Sequence, residues 1–392
     1  MRTGTLPSTP RDAAQPIDKY RSFSFTSGDR ELITQGILER LDTPAAGGFD
    51  PQSGLQQQLK IAFENARQKG HKNPVVVGAI PFDPSQSSAL FIPEHSEWLE
   101  RASSTPDSLQ GTQPPLISQR NIPEESGFKR SVKHAIVNFQ HSDVRKAVLS
   151  VQRELEFAQD VDLRLMQNTL RVQNPHGYHF CVPLADGATL IGVSPELLIR
   201  KRGRHFISNP LAGSAKRMAD PQADQLSAQN LANSAKDHYE HSFVTEDIAA
   251  QLAGLCQTLE VPAQPSLLST AALWHLSSKI EGQLLDEQTN ALQLACRLHP
   301  TPAVCGYPTE LARRLIRFVE PFERGLFSGM VGWCDAEGNG EWVVTIRCGL
   351  VKRNQVRLFA GAGIVEASVA DAEWAEVQTK LGTMLRGCGL SQ

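Results

Sequence analysis

"LFAGAGIVEASVADAEWAEVQTKL", residues 358–381, changes its periodicity part-way along. The first half is a short apolar strand running into Gly361-Ala362-Gly363. The second half sets Glu373, Glu376 and Lys380 at spacings of three and four. On a helix over 371–386 those three side chains share one face. Glu366 stands where a G-x-G-x-x-G dinucleotide loop needs its third glycine, so that loop is excluded. The glycine pair is expected as a turn whose backbone N–H groups can approach an anion closely. Two carboxylates beside an anion imply a hard cation between them, and Mg2+ takes such oxygen ligands. The alternative is a solvated Glu–Lys face.

Upstream of this stretch, strand-like and helical patterns alternate. "VRKAVLSVQREL", "ATLIGVSPELLIRKRG" and "EWVVTIRCGLV" read as strands, with helices expected over 226–257, 288–298, 306–319 and 371–386. "KRGR" and "DAEGNGE" look like hairpin turns, which favours antiparallel sheets flanked by helices, an α+β fold. Nearer the N-terminus, Leu55, Leu59 and Phe63 have helical spacing in 54–74, and "VVVGAIPF" (75–82) reads as a buried strand. Residues 102–127 read as one long loop and 128–140 as a helix. The polar, Pro-rich residues 1–20 are expected as a flexible tail, with 21–392 forming one catalytic domain.

Composition excludes several classes. Net charge is −3 and the sequence pI is about 6.4, so no basic field invites nucleic acid or an anionic membrane. No run of apolar residues is long enough to span a bilayer. The seven cysteines are dispersed without a C-x-x-C pair, which points to reduced thiols in a cytoplasmic protein.

Four residues stand out as chemically odd. Lys146 lies between Val144 and Val148 on one strand face, where a buried ammonium without a partner would become a general base. An edge-strand lysine is the alternative. Glu196 follows a Pro195 break and enters the apolar run Leu197-Leu198-Ile199, where a carboxyl would hold its proton at neutral pH; taken alone, an ordinary turn glutamate is the stronger reading. Glu240, between His238 and His241, tempts towards zinc, but the pattern is not H-E-x-x-H; an oxygen ligand for Mg2+ is the better reading than zinc, with a surface helix face the equal alternative. Arg347 shares a strand face with Val343 and Thr345, where its guanidinium needs a carboxylate, whether a ligand's or the protein's own.

Taken together, "SPELL", "PLAGSAKR", "KDHYEH", "LWHLSSKIEG", "LHPTPAVCGYP", "FSGMVGWCDAEGNGEWVVTIRC" and the 358–381 stretch resemble the chorismate-utilising enzymes. The resemblance is strongest to isochorismate synthases of the catecholate (enterobactin-type) siderophore branch, and it covers about residues 20–386. It implies the aminodeoxychorismate (ADC) synthase-like fold and a Mg2+-dependent isomerase acting on chorismate, a monomer with no nucleic-acid or membrane partner. The expected product feeds catecholate siderophores or salicylate.

The resemblance also implies residue roles. Lys146 would deprotonate the water that attacks C2, where ammonia-using relatives carry glutamine. Glu196 would protonate the departing C4 hydroxyl. Glu240 and Glu376 would hold Mg2+, with Glu373 reaching it through water. Arg347 and the Gly361 backbone would grip the enolpyruvyl carboxylate, helped by Lys380, Ser214 and the Gly213 backbone, while His275 lines the ring pocket. Ala212 stands where aminodeoxychorismate synthases carry a nucleophilic lysine. Ala303 and Phe327 stand where salicylate-forming relatives carry hydroxyls, so a salicylate synthase is the rival reading and a silent chorismate binder a second. Val151, Asn209 and Ala235 depart from the family pattern.

Overall fold

The strand Val75–Ile80 is buried along its whole length. Val75, Val77 and Ala79 face one core, and Val76 and Ile80 face another. Side chains alternate across a strand, so a run that is apolar on both faces must be covered on both. The computed structural model describes residues 22–101 and 111–391, and there two large antiparallel sheets pack face to face. The expected tail over 1–20 lies outside the described residues.

One sheet runs from Gly306–Tyr307 through Lys146–Phe157, Gln355–Ile364, Cys348–Lys352, Thr189–Ser194 and Tyr178–Pro183 to strands near the N-terminus. The other includes His205–Asn209, Leu197–Arg202, Gly340–Val344, Met330–Asp335 and Val75–Ile80 in hydrogen-bonded order. Phe25, Phe180 and Phe359 of the first sheet meet Val77, Trp333 and Val343 of the second between the layers. Helices Glu125–His141, Leu163–Gln173, Thr309–Val319 and Ala370–Gly387 cover the first sheet's outer face. Gly54–Gln68, Ala235–Ala253 and Ala291–Leu298 cover the second. The α+β expectation holds. A third, small sheet pairs Leu211–Lys216, Leu273–Ser277 and Ser266–Ser269.

Several local expectations are corrected. Gly361 and Gly363 do not form a turn: they lie within the strand Gln355–Ile364, paired with Ser150 and Val148, and neither has a positive φ. Of the loop expected over 102–127, residues 102–110 lie outside the described part. Leu116–Ile122 is instead a strand on the edge of Lys146–Phe157, because its partner edge would otherwise be bare. The helix expected over 226–257 is two, Pro221–Ala232 and Ala235–Ala253. The Ser234 side chain caps the second, and Cys256 already belongs to a strand.

"EWVVTIRCGLV" also divides. Gly340–Val344 belongs to one sheet and Cys348–Lys352 to the other, with Arg347 at φ 48° in the link. Arg347 therefore sits at a kink and not on a strand face. A second link, Pro195-Glu196, switches sheets in the same way between Thr189–Ser194 and Leu197–Arg202. The two links lie side by side: Val344 N–H donates to the Glu196 carbonyl at 3.2 Å, and Val193 N–H to the Arg347 carbonyl at 3.0 Å. Where strands leave one layer for the other, the sandwich opens.

No helix among the described residues is long and apolar enough to cross a membrane. None of the seven cysteines forms a disulfide, and five are buried.

Candidate active site

The opening at the two crossovers is a cavity of about 60 Å³. One wall is the strand pair carrying Val148, Gly361 and Gly363; another is the crossovers themselves, with Pro195, Glu196, Ile346 and Arg347. The small sheet contributes Gly213, Ser214 and His275, and helices contribute Glu240, Glu376 and Lys380. Ala303, Val304, Phe327 and Phe359 form an apolar side. Ten of the twelve residues given catalytic, binding or metal roles from sequence thus line one cavity; Lys146 and Glu373 are buried and do not line it.

The two glycines are explained by what stands over them. A Cβ on Gly361 would meet Ser150 Oγ at 2.6 Å. One on Gly363 would meet Glu240 Oε1 at 2.0 Å and Lys146 Cε at 3.2 Å. Their hydrogens leave the room into which these side chains fold.

Lys146 is fully buried and has a partner after all. Its Nζ lies 3.1 Å from Glu240 Oε1, a charge contact without hydrogen-bond geometry. Glu376 Oε1 accepts from Lys380 Nζ at 2.6 Å and from Ser214 Oγ at 2.9 Å. Burial pushes the Glu376 carboxyl up, but the Lys380 ammonium and the Ser214 hydroxyl outweigh it and leave it below its ordinary range. Glu373 accepts from Lys236 Nζ at 2.7 Å. Burial and the neighbouring Glu376 charge still hold the Glu373 carboxyl above its ordinary range. Each carboxylate of the expected metal set therefore faces its own lysine. Among the described residues, no three acidic, histidine or cysteine side chains stand close enough to hold a metal as they are. The expectation that only a hard cation could partner these carboxylates is corrected. The donor set remains all hard oxygen, with Glu240 and Glu376 on one cavity wall, and it fits Mg2+ chemistry.

Glu196 is buried at 2% exposure, and desolvation raises its pKa to about 7, against smaller lowering by the Leu211 backbone and the Lys146, Lys380 and Arg347 charges. Its apolar run does what the sequence promised. The Arg347 side chain makes no hydrogen bond or ion pair to any described residue, and burial brings its pKa down only to about 10, so it stays charged. An unpaired buried guanidinium facing a cavity is a binding site for a carboxylate. Burial holds His275 well below the ordinary imidazole range. The neutral ring bonds the Gly213 backbone and leaves Nε2 without a partner. Gly213 has φ 80°, and a Cβ there would press on Asp237. Gly361 lends its carbonyl, which accepts from Lys380 Nζ at 2.9 Å.

The histidines beside Glu240 are turned away. His241 bonds the Ala212 carbonyl and Ser278, and His238 bonds the Ala232 carbonyl, so neither is placed as a zinc ligand. Sequence reasoning missed Lys236, although it stands four residues before Glu240 on one helix face. Gly363, read only as part of a turn, lines the cavity two residues along the same strand face as Gly361. Asn209, a departure from the family pattern, accepts a hydrogen bond from Ser277 at 2.8 Å.

Residues 65–389 match the family described as chorismate-binding enzymes. The isochorismate synthase EntC of Escherichia coli is 46% identical over 371 residues, covering 94% of this chain and 95% of that protein. A solved structure of a putative 2,3-dihydroxybenzoate-specific isochorismate synthase, DhbC from Bacillus anthracis, superposes with a TM-score of 0.89 at 39% identity, covering 96% of this chain and 98% of that one. Anthranilate synthase component I from Streptococcus pneumoniae, at 18% identity and a TM-score of 0.74 over 97% of this chain and 94% of that one, shares the fold. The chain belongs to the chorismate-binding enzyme family.

Proposed function

We propose that this chorismate-binding enzyme is an isochorismate synthase, converting chorismate to isochorismate by adding water at C2 and expelling the C4 hydroxyl. The observation that carries the reading is Glu196, a buried carboxyl holding its proton near neutrality beside an unpaired guanidinium in one small cavity. Acid catalysis needs such a group, and an anionic substrate needs such a partner.

Arg347 binds the enolpyruvyl carboxylate, with Lys380, Ser214 and the Gly213 and Gly361 backbone around it. His275 lies along the ring with a neutral face. Lys146 takes a proton from water at the Glu240 end of the cavity, and the ammonium so formed is the one held 3.1 Å from the Glu240 carboxylate. The water oxygen bonds to C2, the ring double bonds shift, and the C4–O bond breaks. Glu196 gives its proton to that oxygen, which leaves as water. The two half-transfers contribute about 10²–10⁴-fold each when the groups are well placed.

Glu240 and Glu376 would hold Mg2+, with Glu373 behind them, in place of their present lysine partners. When bound, the ion neutralises the ring carboxylate and draws electron density towards it. The apolar side at Ala303 and Phe327 offers no hydroxyl for a further pyruvate-eliminating step, which favours release of isochorismate over salicylate. A monomer working in the cytoplasm, with reduced thiols, completes the reading; its product would feed catecholate siderophores or salicylate.

Incubating the purified protein with chorismate and Mg2+ and separating the products by chromatography tests the proposal. Isochorismate is expected. Salicylate with pyruvate would make the chain a salicylate synthase, and no conversion would make it a binder.

A further inference from the structure

The strand carrying Lys146 is unevenly supported. Along one edge, Lys146–Phe157 pairs continuously with Gln355–Ile364. Along the other, Gly306–Tyr307 pairs only with Lys146 and Ala147, and Leu116–Ile122 only with Gln152 onwards. Between them, Val148 keeps one backbone bond, from its N–H to the Cys305 carbonyl at 2.9 Å, and Leu149 to Val151 have no strand on that side, close to the residue expected to move a proton.

A buried ion pair fills the gap. Glu320, just past the helix Thr309–Val319, accepts the Ser150 backbone N–H on Oε1 at 2.8 Å. Arg324 donates from NH2 to the Val148 carbonyl at 2.7 Å and from NH1 to the Val304 carbonyl at 2.8 Å. The same guanidinium holds both Glu320 oxygens, at 2.8 and 2.6 Å. Both side chains are almost wholly buried, at 3% and 4% exposure. The guanidinium also lies 4.4 Å from the Phe82 ring centroid and 5.8 Å from that of Phe327. Neither Arg324 nor Glu320 lines the cavity, yet Val148, Val304 and Phe327, which Arg324 touches, all do.

Burying two charges is costly, and an apolar pair of the same volume would fill space as well. An apolar pair could not supply the acceptor for Ser150 or the donors for Val148 and Val304. We propose that the Arg324–Glu320 pair is a positioning device that stands in for the missing strand. Together with the Val148 N–H bond to the Cys305 carbonyl, it holds Val148–Ser150 against the Val304 segment and so sets Lys146 against Glu240. Neither residue touches substrate. The kinetic half of the inference rests on the isochorismate synthase reading; the structural half does not.

Two measurements test it together. Hydrogen exchange of peptides spanning 146–152 is compared with that of the Val75–Ile80 strand in wild type, Glu320→Ala and Arg324→Lys. Exchange over 146–152 is expected to rise by about tenfold or more in the variants, with 75–80 unchanged. An equal rise in both strands marks general loosening and overturns the proposal, as does no rise in either. Turnover is then measured per folded molecule. Arg324→Lys, which keeps a charge against Glu320 but cannot span both carbonyls, is expected to lose about tenfold or more in kcat with a smaller change in KM. Arg324→Met, which keeps none of these bonds, should lose more. Variants that merely unfold more easily while keeping wild-type kcat per folded molecule would reduce the pair to a stabilising contact. Wild-type protein without turnover would remove the proposed reaction and leave the exchange result to decide the clamp.

Discussion

Gly363→Ala is the sharpest probe of the site, because its added atom presses on Glu240 above all and on Lys146 Cε, at 3.2 Å, only lightly. The residue lies in a strand and has no positive φ, so alanine fits the backbone. The added Cβ would stand 2.0 Å from Glu240 Oε1 and 2.7 Å from its Cδ. Non-bonded carbon atoms settle at about 3.5–4.0 Å, so the carboxylate must retreat by more than about 1 Å. It would retreat from the very place where it meets Lys146. A misplacement of about 1 Å in a catalytic constellation costs about 10²-fold in rate. Steady-state kinetics with chorismate, titration calorimetry with Mg2+ and a melting curve are the assays. We expect kcat to fall by about 10²-fold, Mg2+ binding to weaken, and Tm to stay within a few degrees of wild type. Gly361→Ala meets the rotatable Ser150 hydroxyl at 2.6 Å, with Val148 Cγ1 and the Leu149 carbonyl at 3.1 and 3.2 Å, and should cost less. A Gly363→Ala enzyme with wild-type kcat and Mg2+ affinity would show that Glu240 does not work from where the structure places it.

Lys146→Ala should lower kcat by at least about 10²-fold in both reaction directions without moving the equilibrium mixture, and a near wild-type forward rate would remove the base. EDTA should abolish turnover and added Mg2+ restore it, while Glu376→Gln should need more Mg2+ for the same rate; full activity in chelator sinks the metal assignment. Glu196 must keep its proton, so forward kcat should fall as pH rises through about 7. The same carboxyl binds its proton more tightly folded than unfolded. Its contribution to stability is present below about pH 4.5 and is lost as pH rises to about 7, a swing of about 3 kcal/mol. Glu196→Gln should therefore be nearly inactive yet melt higher than wild type at pH 8, and an unchanged Tm difference between pH 4.5 and pH 8 would refute the buried-acid reading.

What the sequence revealed and what it hid follow from the range of the forces involved. Glu196 was legible because its environment is local: a proline break and three apolar neighbours supply the desolvation that raises its pKa. Lys146 was legible as a buried lysine because strand alternation is local too. Its partner was not legible, since Glu240 comes from a helix far along the chain. Arg347 was assigned to a strand because "EWVVTIRCGLV" is apolar enough for one continuous strand. The φ of 48° appears only when that run must leave one sheet for the other. The glycines misled for a similar reason. A glycine after a strand usually marks a turn, but here the demand for space comes from Glu240 and Ser150, which no local pattern reveals. The clamp at Arg324 was invisible because it answers a gap in pairing, and gaps exist only in the assembled sheet.

The charges of the site explain why so many lysines are needed. With Lys146 as the neutral base, Lys236, Lys380 and Arg347 balance Glu240, Glu373 and Glu376, while burial favours the neutral forms of Glu196 and His275. On the proposed reading the cavity must take a substrate with two carboxylates and a cation with two charges. A dication alone would add two positive charges to a site already carrying Arg347. A dianion alone would meet three carboxylates and two lysines already engaged by Glu373 and Glu376. At an effective dielectric of about 20, each unit charge left unmatched at 4 Å costs about 4 kcal/mol. Arriving together, the two leave the balance where it was and let lysines change partners: Lys380 can pass from Glu376 to a substrate carboxylate within reach of the Gly361 carbonyl it already holds. On that reading the lysine pairs hold Glu373 and Glu376 in place until both charges arrive.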